Sequence, residues 1–221
     1  MQRFTLIHDG SNQGWQATYL ALHFAAQLGA PLLVLLFDPT ANKHVLKQRA
    51  TQVEVGARAA GVAIETRLLK DFSVDVVAGN TADGDGLFVP RRLVPDGETA
   101  TRFLEALSRP VWIVSKDTED HKMAVLLSDP QREDELLRYT IMLSRRMQQS
   151  LTGVVQEGQF DQSSEEEAGL SLKPLLDLSP TEINAVLGQL EINLLFISAV
   201  KAPLIKELNM NCVVYPIAQD A

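Results

Sequence analysis

The chain has 221 residues, 46% of them hydrophobic and 22% charged, with a formal net charge of −8. This balance predicts a packed core and excludes a disordered chain. The negative charge argues against a nucleic-acid or anionic-membrane partner, and the single Cys212 excludes an internal disulfide framework.

Phe4 to His8 reads as a buried strand, broken at Asp9-Gly10-Ser11. Ala17, Leu20, Ala21, Phe24 and Leu28 then recur at helical spacing, and Gly29 suits a helix stop. Pro31 to Phe37 is apolar throughout, as expected of a central strand covered on both faces. Asp38-Pro39-Thr40 turns the chain into a second helix with the stripe Leu46, Ala50, Val53, Ala57 and Ala60, stopped by Gly61. A third strand is expected near Val62 to Leu68 and a fourth at Val74 to Ala78, leaving little room for a helix between them. Gly79 to Glu98 then forms a long glycine-bearing loop. Ala100, Phe103, Leu104 and Leu107 mark a helix and Pro110 to Val114 a fifth strand.

Ser115 to His121 lacks an apolar pattern and reads as a linker, after which the first architecture returns. With an offset of 120 residues, Asp9 falls on Asp129, Tyr19 on Tyr139 and Val34 on Val154. Met123 to Ser128 is a strand, Leu136, Leu137, Ile141, Leu143 and Met147 a helix stripe, and Thr152 to Gln156 the next strand. Gly158 to Glu167 is expected to be an exposed acidic loop. Ser179-Pro180-Thr181-Glu182 starts a helix striped by Ile183, Val186, Leu187 and Leu190. Leu194 to Ser198, a short helix at Pro203 to Leu208 and Asn211 to Tyr215 complete the unit. Strand, helix, strand with short joints is a βαβ unit, which crosses over right-handed into a parallel sheet. The expected fold is therefore α/β: two tandem doubly wound parallel-sheet domains, residues 1–115 and 122–221, each trimmed of one helix.

No apolar run reaches the roughly 18–20 residues of a membrane span. Met1 leads directly into a strand without a leader pattern. A protein of the reducing cytoplasm is expected.

The whole pattern resembles the universal stress protein family in its tandem two-domain form. The resemblance rests on the strand ending in His8-Asp9-Gly10-Ser11, the helix ending in Ala25-Ala26-Gln27-Leu28-Gly29-Ala30, and the strand ending in Phe37-Asp38. It also rests on Val76-Val77-Ala78-Gly79, on Arg109-Pro110-Val111-Trp112-Ile113-Val114, and on Asn211-Cys212-Val213-Val214-Tyr215-Pro216. It implies a five-stranded sheet of order 3-2-1-4-5 in each domain, with the tandem standing for a homodimer fused into one chain. Many members bind ATP or AMP at the carboxyl ends of the central strands. The resemblance places adenine and ribose at Ile7, His8, Asp9 and Leu36. It places the phosphates on a glycine loop of pattern G-x2-G-x9-G-[S/T], with Gly79 as the first glycine and Gly97 as the last. Gly97 stands 13 residues before Pro110, the family's spacing.

Three departures count against that loop. It is longer than the motif, with Gly84 and Gly86 out of register; Glu98 stands at the hydroxyl position; and Asp83 and Asp85 bring carboxylates that would repel a triphosphate. Arg91 and Arg92 would offset this by folding over the site. In the second copy Ala199 replaces the last glycine and no phosphate loop exists, which suits a structural or contact role.

Each candidate also has a plainer reading. Asp9 suits an Asx turn as well as a ribose contact. His8 and Asp9 point to opposite strand faces and make no dyad. His23, His44 and His121 show no metal spacing, and Cys212 reads as an inert buried thiol. Tyr19 and Tyr139 are expected to pack helix on sheet, and Trp15 and Trp112 to serve core or interface. The leading expectation is a non-catalytic stress-response protein that acts through contacts with an unknown protein partner, without cofactor or metal and with weak or absent nucleotide binding. The alternative is an adenine-nucleotide sensor or slow ATPase using the first copy alone. An ATP pyrophosphatase would need an SGGxDS-like loop, which Asp9-Gly10-Ser11-Asn12 is not. Further homodimerisation is left open.

Overall fold

A computed structural model describes residues 3–38, 40, 42–81, 86–116, 121–129, 132–156 and 170–216. Its strands are β1 (Phe4–His8), β2 (Leu32–Leu36), β3 (Ile64–Leu68), β4 (Gly86–Pro90), β5 (Val111–Val114), β6 (Met123–Leu127), β7 (Leu151–Gln156), β8 (Ser171–Leu175), β9 (Leu194–Ser198) and β10 (Asn211–Tyr215). The helices are α1 (Asn12–Leu28), α2 (Lys43–Ala59), α3 (Val74–Asn80), α4 (Gly97–Leu107), α5 (Asp134–Met147) and α6 (Pro180–Gln189). Two 3-10 segments follow β4 (Arg91–Leu93) and β9 (Ala199–Glu207).

All ten strands form one sheet in the order β3-β2-β1-β4-β5-β10-β9-β6-β7-β8. Each half has the order 3-2-1-4-5 with parallel neighbours. The halves meet at the antiparallel pair β5 and β10, in register at Cys212 with Ile113 and Val213 with Trp112. Strand alternation sends Phe4, Leu6, Val34 and Leu36 to a core under α1, α2 and α5. Ile7, Leu33, Leu35 and Val89 go to a second core under α3, α4 and α6. The sheet is therefore covered on both faces.

The helix ends follow local chemistry. Ser11 accepts from the Gly14 N–H (3.0 Å), and Gly29 takes φ 63° beyond α1, the left-handed conformation that glycine adopts without steric cost. Ser179 accepts from the Glu182 N–H (3.3 Å) to start α6.

One expected strand is a helix. Val74 to Ala78 begins α3, capped by Ser73 on the Val76 N–H (3.1 Å), and the fourth strand is Gly86–Pro90 instead. The central slot between β1 and β5 buries all five residues of β4. A strand through Val74 to Ala78 would carry the Asp75 carboxylate into that slot, whereas Gly-Leu-Phe-Val-Pro brings no charge. The first half thus keeps a helix between β3 and β4. In the second half, β8 lies where no strand was expected. The connection between β7 and β8, including the acidic run Gly158 to Glu167, lies outside the described residues, as do Pro39, Asp83, Gly84, Asp85 and most of the linker.

Candidate functional site: two crevices at the strand ends

In an open α/β sheet the natural binding crevice lies beyond the carboxyl ends of the strands, where the order reverses. Here that point falls between β1 and β4 in the first half and between β6 and β9 in the second.

At the first crevice Asp9 follows β1 directly, and its side chain is fully buried. Its Oδ1 accepts from the Ser11 hydroxyl (2.6 Å) and the Ser11 N–H (3.1 Å), an Asx turn that feeds the α1 cap. Its Oδ2 pairs with the Arg92 guanidinium, which also reaches the Asp9 carbonyl (3.4 Å). Arg92 comes from the turn after β4, and its N–H donates to Gln13 Oε1 (2.9 Å). An ion pair thereby bridges the crevice from the end of β1 to the turn after β4. Beside it, Arg49 of α2 pairs with Asp38 and lies against Gly10, where a Cβ would sit 2.0 Å from the guanidinium. The Arg49 contact holds the Asp38 carboxyl down to about 2.

His8 is buried on the α1 side. Thr18 Oγ1 donates to the Gly14 carbonyl (2.8 Å), so its contact with His8 Nδ1 (3.1 Å) is accepted from an Nδ1–H. That tautomer leaves Nε2 as a bare acceptor, with no hydrogen-bond partner among the described residues. The ring stands edge-on to Trp15 (4.4 Å). Burial lowers its pKa below 6.5.

The second crevice repeats this device with different residues. Glu133, at the entrance to α5, pairs with Lys201 from the 3-10 segment after β9, and the two side chains are 4% and 7% exposed. Glu133 also accepts from the Ser198 hydroxyl (2.7 Å), the Ser128 N–H (2.7 Å) and the Asp129 N–H (3.1 Å). Burial alone would raise the Glu133 carboxyl, but these donors outweigh it and the net shift is downward. Burial lowers Lys201, against the pull of Glu133. In both halves an acid at the strand–helix junction binds a base from the turn after the fourth strand.

Of the residues matched to a nucleotide site, Ile7, His8, Asp9 and Leu36 lie together at the adjacent carboxyl ends of β1 and β2, His8 in register with Leu36, while Gly79 and Gly97 lie in α3 and at the start of α4. Ile7 and Leu36 are fully buried in opposite cores. Gly79 lies in α3, where a Cβ would meet nothing within 4 Å. Gly97 opens α4 against the second half: a Cβ there would stand 2.6 Å from the Ala202 carbonyl. The α4 amides that a phosphate would use are capped by Asp96 (2.9 Å to the Thr99 N–H). Glycine at 97 thus serves close backbone packing. Asp9 and Arg92 are paired with each other.

Arg91 points the other way, to the Met210 carbonyl (3.3 Å) and the Ile205 carbonyl, tying the halves together. Buried Asn211 does the same: its Oδ1 accepts from the Ser115 and Lys116 N–H groups (2.8 and 3.2 Å). Cys212 is buried and its thiol is pushed up to about 11, as expected of an inert core thiol. Tyr139 packs on Phe196 and Tyr215, but Tyr19 is 57% exposed and is not a helix–sheet contact. Among the described residues no group of three metal-ligating side chains forms, and no helix is long and apolar enough to cross a membrane.

Comparison with known proteins adds the following. No protein-family profile matches the sequence, and no curated protein matches it. Among solved structures, a universal stress protein from Archaeoglobus fulgidus DSM 4304 superposes with TM-score 0.69 at 14% identity, covering 99% of this chain and 97% of that one. A putative universal stress protein from Pseudomonas aeruginosa UCBPP-PA14 gives 0.71 at 12% identity, covering 98% and 94%. A functionally unknown protein from Pseudomonas aeruginosa PAO1 gives 0.70 at 12% identity, covering 98% and 93%. Over nearly its whole length the chain has the universal stress protein fold.

Proposed function

We propose that the chain is a universal-stress-type protein of the cytoplasmic stress response that acts through protein contacts, without catalysis and without binding adenine nucleotides. The observation that carries this reading is that acid–base pairs, Asp9 with Arg92 and Glu133 with Lys201, bridge both strand-end crevices. An anion entering either one would have to compete with a carboxylate already holding the cation. Fold kinship leaves the function open, and the chemistry of these crevices favours the contact role. Native mass spectrometry of the freshly purified protein tests it. A bare chain mass is expected. Stoichiometric ATP, ADP or AMP on the chain would overturn the reading in favour of a nucleotide sensor.

A further inference from the structure

β3 forms one edge of the sheet. The Ala63 carbonyl accepts from the Leu32 N–H (2.8 Å), and the Leu69 N–H donates to the Leu36 carbonyl (2.8 Å). Odd-numbered residues of this segment therefore bond to β2. Alternation turns the backbone N–H and C=O groups of Ile64, Thr66 and Leu68 outward, where no strand among the described residues meets them. The opposite edge, β8, carries Lys173 and Pro174, residues that guard an edge. β3 has no Pro, Gly or Lys.

The β3 sequence, Ile-Glu-Thr-Arg-Leu, complements itself when reversed. Two copies laid antiparallel about Thr66 set Ile64 opposite Leu68, Glu65 opposite Arg67, and Thr66 opposite Thr66. The outward-facing residues then form the hydrogen-bonded pairs, and Glu65 with Arg67 the closer pairs between them. A two-fold centred on Glu65 or on Arg67 would set like charges opposite each other, so one register is selected.

Three features of β3 find a complement in that arrangement. Glu65 and Arg67 are exposed and pair along the strand (2.8 Å); a second copy closes them into a square of alternating charge. The Thr66 hydroxyl is buried with no hydrogen-bond partner among the described residues, and the facing threonine offers one. Leu68 is 42% exposed, and Ile64 of the second copy covers it.

We infer that β3 pairs antiparallel with β3 of a second copy of this chain, carrying one sheet through two molecules. Exposed Lys43, Lys47 and Arg58 of neighbouring α2 oppose the approach of two copies, so the pairing is reversible and depends on concentration. The inference goes beyond the contact-protein reading. Bound nucleotide would overturn that reading and leave this one standing, whereas a strictly monomeric chain would do the reverse.

Analytical ultracentrifugation of the full chain over a concentration series tests it, with a monomer–dimer equilibrium expected. Glu65→Arg or Arg67→Glu alone sets like charges face to face at both symmetric positions and is expected to weaken dimerisation about tenfold or more. The double exchange Glu65→Arg/Arg67→Glu is expected to restore it, and melting curves check that each variant folds. Thr66→Cys is expected to give a disulfide-linked dimer under mild oxidation, its Cα atoms standing about 5.5 Å apart across the two-fold. Lys70→Cys, displaced along the strand from that axis, is not. A chain monomeric at millimolar concentration, a dimer indifferent to Arg67→Glu, a double exchange that restores nothing, or equal cross-linking of the two cysteine variants would each overturn the inference.

Discussion

Arg92 and Lys201 perform the same task at different depths, and their removal should cost differently. Lys201→Met leaves Glu133 charged and buried, and is expected to destabilise by about 3–5 kcal/mol in urea unfolding. The double change Glu133→Leu/Lys201→Met should recover much of that loss, because the stranded charge is gone. Arg92→Ala should cost less, about 1–2 kcal/mol, since the Arg92 side chain is half exposed and Asp9 keeps its Ser11 hydrogen bonds. The two glycines matched to a phosphate loop are expected to respond with opposite signs. Gly79→Ala sits in a helix facing open space and should stabilise by about 0.5–1 kcal/mol. Gly97→Ala drives a Cβ into the Ala202–Pro203 backbone and should destabilise by about 1–3 kcal/mol. Sequence could place neither glycine, because spacing to Pro110 says nothing about what lies across from a residue. Arg92 was visible as a cation able to fold over the crevice; that it binds Asp9 instead of a ligand depends on β4 ending at Pro90. Lys201 left one faint sign, a lone charge in Ala-Val-Lys-Ala-Pro.

At the scale of elements, α1 and β1 are joined through His8, whose Nδ1–H and bare Nε2 require the neutral ring. Burial lowers the pKa of both His8 and His23, so the unfolded chain binds more protons below pH 6.5. The stability they contribute is present above that pH and is lost as pH falls through it. Unfolding free energy should therefore drop between pH 7 and 5, and His8→Gln should flatten the slope. Asp38 acts lower: with its carboxyl held down to about 2, its contribution stays until pH falls below 3.8. Helices α1, α2, α4, α5 and α6 were legible because their apolar stripes are local. β4 and α3 were not, since Val-Asp-Val-Val-Ala suits a strand by propensity. Only the demand of a slot buried on both faces, which excludes Asp75, turns it into a helix. β8 escaped notice because an edge strand needs no apolar run, and Lys173 and Pro174 suit an edge.

For the whole molecule, the repeat seen as Asp9 on Asp129 foretold two like halves, and the resemblance to universal stress proteins implied the strand order 3-2-1-4-5 in each. It did not foretell that the sheet would run unbroken through β5 and β10, a pairing set by the far end of each half. Trp112 sits at that seam, stacked on Phe88 (4.7 Å) and edge-on to Phe196 of the other half (5.7 Å). With a shared sheet and a shared aromatic cluster, the halves should unfold together. Trp fluorescence and far-UV circular dichroism should give coincident urea midpoints, whereas two separated transitions would mean that the seam is weak. The same scale carries the functional account, in which ion pairs of the chain itself bridge two pseudo-equivalent crevices and contact surfaces are left to act. Thermal melting with millimolar ATP and magnesium tests this most directly, because any ligand of the folded state raises Tm by mass action. No shift is predicted for the wild-type chain. A concentration-dependent rise in Tm that disappears in Asp9→Ala would contradict the account.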